Sequence, residues 1–218
     1  MTQNKLLLVD CDSTLSAIEG IDELARLRGQ STFLAVEAMT KAAMEGGAAM
    51  ETVFAKRLEM IEPRLEELEA VGALYITHVE PNAKRALETA RKAGWHPVIV
   101  SGGFTQAILP LAAHLEIERV EAVRLEFDSA GAFTGFAAES PTARTRGKNI
   151  VAKQLREEFA ARRSIMVGDG ASDLEVQGDV DFVVGFGGYA IREKVRKGAD
   201  AFILSFSELP ALLQRWDA

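Results

Sequence analysis

The apolar run Leu6–Val9, which ends directly at Asp10 and Asp12, constrains the fold more than any other segment of this chain. A short apolar run bounded by polar residues is typical of a buried strand in a parallel sheet. Side chains two residues apart on a strand point to one side, so both carboxylates are expected to leave the strand end together. Ligands of open α/β sheets bind at such strand ends, where one carboxylate can attack and another can move protons. The same residue types are also ordinary in loops and helix caps, so the motif needs support from the rest of the chain.

The rest of the chain divides into a helical stretch and a stretch of alternating helices and strands. Residues 16–78 show apolar stripes of helical period and no strand signal. From about residue 80, helices alternate with apolar strands, which we predict at His96–Val100, Ile165–Val167, Phe182–Val184 and Ala201–Leu204. This alternation predicts an α/β fold with a doubly wound, mostly parallel (Rossmann-like) sheet. We therefore predict a core of residues 1–15 and 79–218 and an inserted all-helical cap of residues 16–78, well placed to act as a lid.

Composition and charge exclude several classes of partner. The chain has 218 residues and a formal net charge of -7, with acidic and basic residues interspersed. This balance argues against a general nucleic-acid binder or an anionic-membrane binder, since either needs a basic face. Cys11 is the single cysteine, so no internal disulfide forms, and we expect the protein to be cytoplasmic. We also expect a monomer or a homodimer. No apolar stretch approaches the roughly 20 residues of a membrane-spanning helix, and the run before Asp10 is too short for a signal-peptide core.

Two further segments can bind anions at the same edge of the sheet. Ser101, Gly102 and Gly103 follow the predicted strand His96–Val100 and precede a predicted helix. Glycines let the backbone approach an anion closely, and a helix N-terminus offers N–H donors. Lys148 stands at the start of another predicted helix, where it can balance the charge of nearby carboxylates. In isolation these residues are also typical of a plain strand-to-helix turn and of a solvated lysine.

A second pair of acids, Asp169 and Asp173, follows the apolar run Ile165–Val167. Acid pairs therefore stand at two strand ends that a parallel sheet brings to one edge. Carboxylates gathered with few histidines suit a hard, oxygen-preferring cation, and we predict Mg²⁺. A turn followed by a helix that carries Asp173 is the alternative interpretation of this segment.

In combination, these motifs resemble those of the haloacid dehalogenase superfamily and, within it, those of the phosphoserine phosphatases. The resemblance runs from about residue 5 to residue 213. Residues 43–46 (Ala-Met-Glu-Gly) and Arg57 are similar to the lid of that family. The other matching stretches are Asp10-Cys11-Asp12-Ser13-Thr14, Glu19–Ala25, Ser101-Gly102-Gly103-Phe104, Gly147-Lys148 and Gly168–Asp173.

The resemblance implies a catalytic and metal-binding role for four acids. Asp10 would be the nucleophile that forms an aspartyl phosphate, and Asp12 would protonate the departing alcohol and then deprotonate water. Mg²⁺ would be held by the Asp10 carboxylate, the Asp12 backbone carbonyl and Asp169. Asp173 would orient these ligands without binding the metal ion directly.

The resemblance also implies a set of substrate-binding residues. Glu19 would bind the polar amino-acid end of the substrate. Arg57 would bind the substrate carboxylate through two parallel hydrogen bonds from its guanidinium group. Met44 and Met50 would wall the pocket; Met50 stands where the family often has Phe, and Ser172 where Asn or Thr is common. The full set is Glu19, Met44, Arg57, Ser101, Gly102, Gly103, Lys148 and Ser172, of which Ser101 and Lys148 would also offset the charge of the reacting phosphate. A solvated helix face is the alternative for Glu19 and Arg57, and core packing for the methionines.

An acid two residues after the nucleophile favours release of a poor leaving group, because an alkoxide needs a proton and a halide does not. The residues therefore predict a phosphomonoesterase that acts on a small phosphate ester of an alcohol. The resemblance implies that this enzyme depends on Mg²⁺, that its substrate is O-phospho-L-serine and that it has a place in serine biosynthesis. A phosphotransferase that passes the phosphoryl group to an alcohol such as homoserine shares every catalytic residue. A phosphatase for another small amino or sugar phosphate is a further alternative. A non-enzymatic phosphate-accepting receiver domain fits less well, since it needs neither a helical lid nor an acid like Asp12.

Overall fold

The strand Lys5–Val9 lies in the middle of a six-stranded parallel sheet. The structure is a computed structural model that describes residues 4–44, 50–137 and 139–217. Its strands are β1 (Lys5–Val9), β2 (Trp95–Phe104), β3 (Arg119–Val123), β4 (Leu125–Phe127), β5 (Phe133–Phe136), β6 (Arg163–Gly168), β7 (Phe182–Phe186) and β8 (Ala201–Ile203). The sheet has the order β3-β2-β1-β6-β7-β8, and each neighbouring pair is parallel. Strands β4 and β5 pair separately as an antiparallel hairpin.

Helices cover both faces of this sheet. They are α1 (Gly20–Leu27), α2 (Gln30–Met44), α3 (Met50–Ile61), α4 (Leu65–Thr77), α5 (Ala83–Lys92), α6 (Thr105–His114), α7 (Gly147–Glu158), α8 (Ala171–Leu174), α9 (Glu193–Gly198) and α10 (Leu209–Asp217). Leu7 and Val9 of β1 pack in a cluster with α5, α6 and α10, whereas Leu6 and Leu8 pack on the other face with α7. These four apolar side chains of β1 are all fully buried, as an apolar run without alternation predicts. The predicted α/β fold with a doubly wound parallel sheet is confirmed.

The strand order creates a crevice at the end of β1. From β1 the chain builds outward through β2 and β3, then returns to the other side of β1 and builds outward through β6, β7 and β8. In open α/β sheets, ligands bind outside the carboxyl ends of the strands at such a reversal. Asp10 directly follows β1, and Asp169 directly follows β6. Both predicted strand-end acids therefore border this crevice.

Helices α1 to α4 lie between β1 and α5 in the chain. Helix α4 packs closely on α6, since a Cβ atom on Gly72 would lie 2.9 Å from Pro110 Cγ and 3.1 Å from the Ala107 carbonyl oxygen. The boundaries predicted for a separate cap, residues 16–78, stay a prediction. Within the described ranges, no helix combines the length and the apolar character needed to cross a membrane.

Strand β2 is longer than the predicted strand His96–Val100, because it continues through Ser101 to Phe104. Its pairing with β3 loses register between Val100 and Phe104. The sequence pattern identified only the regular, apolar part of this strand. The irregular end, where two glycines interrupt the pattern, depends on pairing with a strand that comes later in the chain.

A bidentate ion pair joins the end of α1 to the start of α4. Two Arg28 nitrogens each lie 2.7 Å from a carboxylate oxygen of Glu67. Arg28 Nε also donates to the Ile61 carbonyl (2.7 Å), and the Arg64 N–H donates to Glu67 (2.8 Å). Hydrogen bonding from Arg28 lowers the pKa of the Glu67 carboxyl below its usual value.

Replacing Glu67 by Gln should therefore reduce stability in a pH-dependent way. We expect Glu67→Gln to lower the free energy of unfolding at neutral pH by about 0.5–1 kcal/mol, a value reduced by solvent screening of this partly exposed pair. A carboxyl whose pKa is lower in the folded state stabilises the fold above its unfolded pKa of about 4.3 and loses that contribution as pH falls through the folded pKa. The difference between the variant and the parent protein, measured by urea unfolding, should disappear on acidification.

Glu66→Gln is the matched control, because the Glu66 side chain is 72% exposed and pairs with Arg64 at the surface. Its effect should stay within about 0.5 kcal/mol at each pH. A destabilisation by Glu67→Gln that persists unchanged in acid would contradict the electrostatic explanation.

Candidate active site

The carboxyl end of β1 delivers Asp10 and Asp12 to the crevice. The Asp10 N–H donates to the Val167 carbonyl (2.9 Å), so the β1–β6 ladder continues to this residue. Ser13 then adopts a left-handed backbone conformation with φ of 51°, which turns the chain out of the strand direction. Cys11 lies between the acids, and burial raises the pKa of its thiol well above the usual value. The thiol therefore stays neutral, which fits a small core residue rather than a nucleophile.

Lys148 joins carboxylates from two different strand ends. Its Nζ lies 2.8 Å from Asp10 Oδ1 and 2.6 Å from Asp173 Oδ1, and all three side chains are buried. Burial works against the ammonium charge, but the carboxylates of Asp10 and Asp173 outweigh it and raise the pKa of Lys148. Lys148 therefore remains a cation inside the protein, and the interpretation as a solvated surface lysine is wrong.

The backbone before α7 explains how Lys148 reaches the site. Arg146 adopts a left-handed conformation with φ of 57° immediately before the helix. A Cβ atom on Gly147 would lie 1.9 Å from the Pro141 carbonyl oxygen, so only glycine fits there. The turn brings the first turn of α7 against the Pro141–Ala143 segment and points Lys148 toward the strand ends.

Gly168, the last residue of β6, and Gly170, which follows the strand, hold Asp173 in place. A Cβ atom on Gly168 would lie 2.2 Å from Asp173 Cγ, and the Gly170 N–H donates to Asp173 Oδ2 (2.9 Å). Asp173 belongs to the short helix α8 and also reaches the site, so the two interpretations of this segment are not exclusive. Burial and the charge of Asp10 raise the pKa of Asp173 to about 7, against the effect of Lys148.

Three buried carboxylates form a cluster that can bind a metal ion. One oxygen from each of Asp10, Asp169 and Asp173 lies within 4.8 Å of the others. Asp169 also accepts a hydrogen bond from Thr14 Oγ1 (3.2 Å) and forms an ion pair with Arg192. A set of three carboxylate oxygens matches the donor preference of a hard divalent cation.

Asp12 lies beside this cluster in a different environment. Its Oδ1 accepts hydrogen bonds from the Gly20 N–H (2.7 Å) and the Tyr75 hydroxyl (2.5 Å), and its Oδ2 accepts one from Ser101 Oγ (3.2 Å). Burial and the charge of Asp10 raise the pKa of Asp12, although these three hydrogen bonds work in the opposite direction. An acid with a raised pKa next to an ion-paired carboxylate is suited to holding and moving a proton.

The Ser101-Gly102-Gly103 segment meets Asp12 from the end of β2. Ser101 is fully buried, and its Oγ accepts a hydrogen bond from the Gly103 N–H (3.0 Å). A Cβ atom on Gly103 would lie 2.5 Å from Asp12 Oδ2, so this position has no room for a side chain. Gly102 is exposed. The structure thus brings this segment together with the β1 acids.

Glu19 and Arg57 approach from the helical segment. Ser13 Oγ donates to Glu19 Oε1 (2.6 Å), and burial together with the charge of Asp12 raises the pKa of Glu19 to about 8. Arg57 is buried and donates to Thr40 Oγ1 (2.9 Å). Burial lowers the pKa of Arg57 despite the nearby acids, whose charges act in the opposite direction. Arg57 is thus not on a solvated helix face, and Glu19 is at most partly exposed.

The remaining predicted substrate-binding residues are either exposed or outside the described parts of the structure. Ser172 is exposed, and no hydrogen bond from its hydroxyl brings it to the acids. Met44 ends α2 and Met50 begins α3, but their side chains lie outside the described residues. The same holds for Glu45 and Gly46, which belong to the segment 45–49.

Sequence reasoning missed three residues that contact the acids. Tyr75 contacts Asp12, and Arg192 contacts Asp169, across large separations in the chain. Neither residue stands in a strand-end motif, so no local signal identified it. Gly20 could have been found, because it directly follows Glu19 in a stretch that had been singled out.

Comparison with known proteins supports the assignment of this site to one family. The family model of the haloacid dehalogenase-like hydrolases matches residues 7–176. The phosphoserine phosphatase of Bos taurus is 36% identical over 207 residues, which cover 94% of this chain and 91% of the bovine protein. A solved structure of a substrate-bound phosphoserine phosphatase complex superimposes with a TM-score of 0.81 at 25% identity, covering 99% of both chains.

A second solved structure, a phospho-aspartyl intermediate analogue of phosphoserine phosphatase, has a TM-score of 0.79 at 26% identity and covers 93% of this chain and 94% of its own. The sequence relatives and the structural neighbours thus agree over nearly the full length of this chain. The chain belongs to the haloacid dehalogenase-like hydrolases, and within them it is an enzyme of the phosphoserine phosphatase type.

Proposed function

We propose that this enzyme hydrolyses O-phospho-L-serine to L-serine and phosphate through an aspartyl phosphate on Asp10. The observation that carries the proposal is the contrast between two neighbouring acids. Asp10 is paired with the Lys148 ammonium, whereas Asp12 is held by neutral donors and has a raised pKa. Two carboxylates in such different environments suit the two roles of nucleophile and acid–base group.

The nucleophilic step requires an anionic carboxylate to approach an anionic phosphate. Two unit charges 4 Å apart repel by about 4 kcal/mol at an effective dielectric constant near 20. Lys148 lies 2.8 Å from Asp10 Oδ1 and reduces this repulsion. The Asp10 carboxylate forms the new bond to phosphorus as the bond from phosphorus to the serine oxygen breaks.

Asp12 supplies the proton that the departing serine oxygen needs. In the second half of the reaction it takes a proton from the water that attacks the phosphoryl group on Asp10. A raised pKa favours the first role because the acid keeps its proton until the leaving group accepts it. Ser101 Oγ lies 3.2 Å from Asp12 Oδ2, and we propose that it donates a hydrogen bond to a phosphate oxygen.

Asp10 and Asp169 are the residues that would hold Mg²⁺, with the Asp12 carbonyl as a further ligand and Asp173 as the residue that fixes Lys148 and Asp10. When bound, such an ion neutralises charge on the phosphoryl oxygens and helps to orient them. The carboxylate cluster within 4.8 Å supports this assignment, since its donors are all oxygens.

Substrate selection is proposed to lie with Glu19 and Arg57 on the helical side, which we propose forms a cap. Arg57 is buried, and its Nε has no hydrogen-bond partner among the described residues. A guanidinium with an open donor suits the substrate carboxylate, which it can bind through parallel hydrogen bonds. The relatives named phosphoserine phosphatase support this choice of substrate.

A panel of phosphate esters tests the proposed function directly. Purified enzyme with Mg²⁺ should release phosphate from phosphoserine with a higher kcat/KM than from phosphothreonine, phosphohomoserine and sugar phosphates. The same assay with added homoserine separates a hydrolase from a phosphotransferase. A higher kcat/KM for another ester would contradict phosphoserine as the substrate. Formation of phosphohomoserine in place of free phosphate would show that the enzyme is a phosphotransferase.

Asp10→Asn should lower the rate of phosphate release by more than about 10³-fold, because an amide is a poor nucleophile. The Lys148–Asp173 pair, at 2.6 Å, remains to hold the fold. Mass spectrometry of the parent enzyme after acid quench should locate the phosphate on Asp10. Glu126→Gln, an exposed position on β4, serves as the control with unchanged activity. Phosphate on a different residue would contradict the assignment.

Chelation by EDTA should reduce activity by at least about 100-fold, and Mg²⁺ should restore it. The fold should survive chelation because Lys148 and Arg192 pair with the carboxylates of the cluster. Adding Mg²⁺ should raise the Tm through binding to the native state, and Asp169→Asn should remove this response. Full activity in EDTA would eliminate the metal from the proposal.

Arg57→Ala should lower kcat/KM for phosphoserine by roughly 10–100-fold and for 4-nitrophenyl phosphate by less than about threefold, since the aryl ester has no carboxylate to bind. Arg57→Lys keeps the positive charge but cannot form the two parallel hydrogen bonds of a guanidinium group. Its kcat/KM for phosphoserine should therefore lie between those of the parent enzyme and of Arg57→Ala. Lys56→Ala, exposed one residue earlier, is the matched control. Equal losses for both substrates would remove Arg57 from substrate selection.

A further inference from the structure

The Tyr75 side chain on α4 reaches the acid–base residue from outside the strand-end motifs. Tyr75 is fully buried, and its hydroxyl donates to Asp12 Oδ1 at 2.5 Å. The two residues are 63 positions apart in the chain. A hydrogen bond to a carboxylate is among the stronger hydrogen bonds in proteins, so this contact fixes where Oδ1 lies.

Gly20 makes room for this contact. A Cβ atom at residue 20 would lie 2.2 Å from the Tyr75 hydroxyl oxygen, which is too close for any side chain. The Gly20 N–H also donates to Asp12 Oδ1 at 2.7 Å. One glycine thus provides both a second donor to Oδ1 and the space that the Tyr75 hydroxyl occupies.

The anchoring of α4 makes Tyr75 a rigid support. Ser16 Oγ, in the loop after β1, donates to the Tyr75 carbonyl (3.1 Å). One turn earlier on α4, Gly72 lies against Ala107 and Pro110 of α6 without room for a side chain. Contacts therefore hold the helix on two sides, and the hydroxyl has little freedom to leave Asp12.

The two oxygens of Asp12 are consequently not equivalent. Oδ1 faces two donors, the Gly20 N–H and the Tyr75 hydroxyl. Oδ2 faces Ser101 Oγ at 3.2 Å, and it lies 2.5 Å from where a Cβ atom on Gly103 would stand. Oδ2 is therefore the oxygen directed toward the segment that borders the crevice, and it is the one able to exchange a proton with a ligand there.

We propose that Tyr75 is a positioning residue that holds Asp12 Oδ1, so that Oδ2 faces the oxygen of the departing alcohol. This inference rests on the proposed acid–base role of Asp12. In the first half-reaction the proton passes from Oδ2 to the bridging ester oxygen while the bond from phosphorus to that oxygen breaks. The electron pair of the broken bond stays on the oxygen, which leaves as a neutral alcohol.

Comparing leaving groups tests the positioning role of Tyr75, because a merely structural role would lower kcat/KM equally for alkyl and aryl esters. Tyr75→Phe removes one oxygen atom and keeps the ring, so Asp12 loses one of its two Oδ1 donors. We expect kcat/KM for an alkyl phosphate to fall by roughly 10–100-fold, because a small misplacement of a general acid is costly when the leaving group needs a proton. For 4-nitrophenyl phosphate, whose leaving group is stable as an anion, the loss should stay below about threefold.

Tyr189→Phe is the matched control. Tyr189 is the only other tyrosine of the chain, and it is 38% exposed. Removing its hydroxyl should leave kcat/KM for both esters unchanged. The Tm of each variant, followed by circular dichroism, checks that the fold is retained.

Gly20→Ala provides a second variant with the tyrosine intact. The added methyl group displaces the Tyr75 hydroxyl from Asp12, so the same selective loss on alkyl esters is expected. Equal losses on alkyl and aryl esters, or no loss with Tyr75→Phe, would overturn the positioning role.

Failure of this inference differs from failure of the proposed function. The alkyl ester used is the best substrate found in the panel, so the comparison does not depend on that ester being phosphoserine. Absence of phosphate release from every ester by the parent enzyme would refute the proposed function. A parent enzyme that turns over both esters, with a Tyr75→Phe variant that shows no selectivity, would refute only the role of Tyr75.

Discussion

The structure depends on the compensation of like charges at the ends of β1 and β6. Asp10, Asp169 and Asp173 place carboxylate oxygens within 4.8 Å of one another in the protein interior. Buried charges of one sign raise the free energy of the folded state unless a cation pairs with them. Lys148 provides that cation for Asp10 and Asp173, and Arg192 pairs with Asp169. Gly168 has no room for a side chain because Asp173 packs against it. Gly147 lets the start of α7 pack closely on Pro141, and this packing brings Lys148 to the carboxylates.

Adjacent carboxylates acquire different chemistry from their partners rather than from their sequence neighbours. Asp10 and Asp12 are two residues apart, yet the first contacts an ammonium group and the second contacts neutral donors. A charged partner favours an anionic nucleophile, whereas burial with neutral partners favours an acid that retains its proton. Residues outside the motif therefore create the different electrostatic environments on which the proposed roles of the two acids depend.

Local sequence patterns predicted five of the six strands of the parallel sheet, all except β3, and they identified the acids at the strand ends. The apolar run of β1 has no alternation because both of its faces are buried, and this is a property of the segment itself. The acids at residues 10, 12, 169 and 173 directly follow or closely follow apolar runs, so the strand-end rule identified them. The irregular end of β2 was not predicted, because it depends on pairing with β3, which lies further along the chain. The exposed position of Ser172 was also not predicted, since the family resemblance carries no information on side-chain direction in this chain.

The sequence by itself determined the parallel α/β fold, the order of its elements and the edge of the sheet at which the acids meet. Those features depend on periodicity and on residue type within a few positions. Only the tertiary structure decided that Lys148 bridges two strand ends, that Arg192 pairs with Asp169 and that Tyr75 holds Asp12. These contacts join residues far apart in the chain; Tyr75 and Asp12, for example, are 63 positions apart. Their geometry is set by how helices pack on the sheet, and no local pattern specifies that packing.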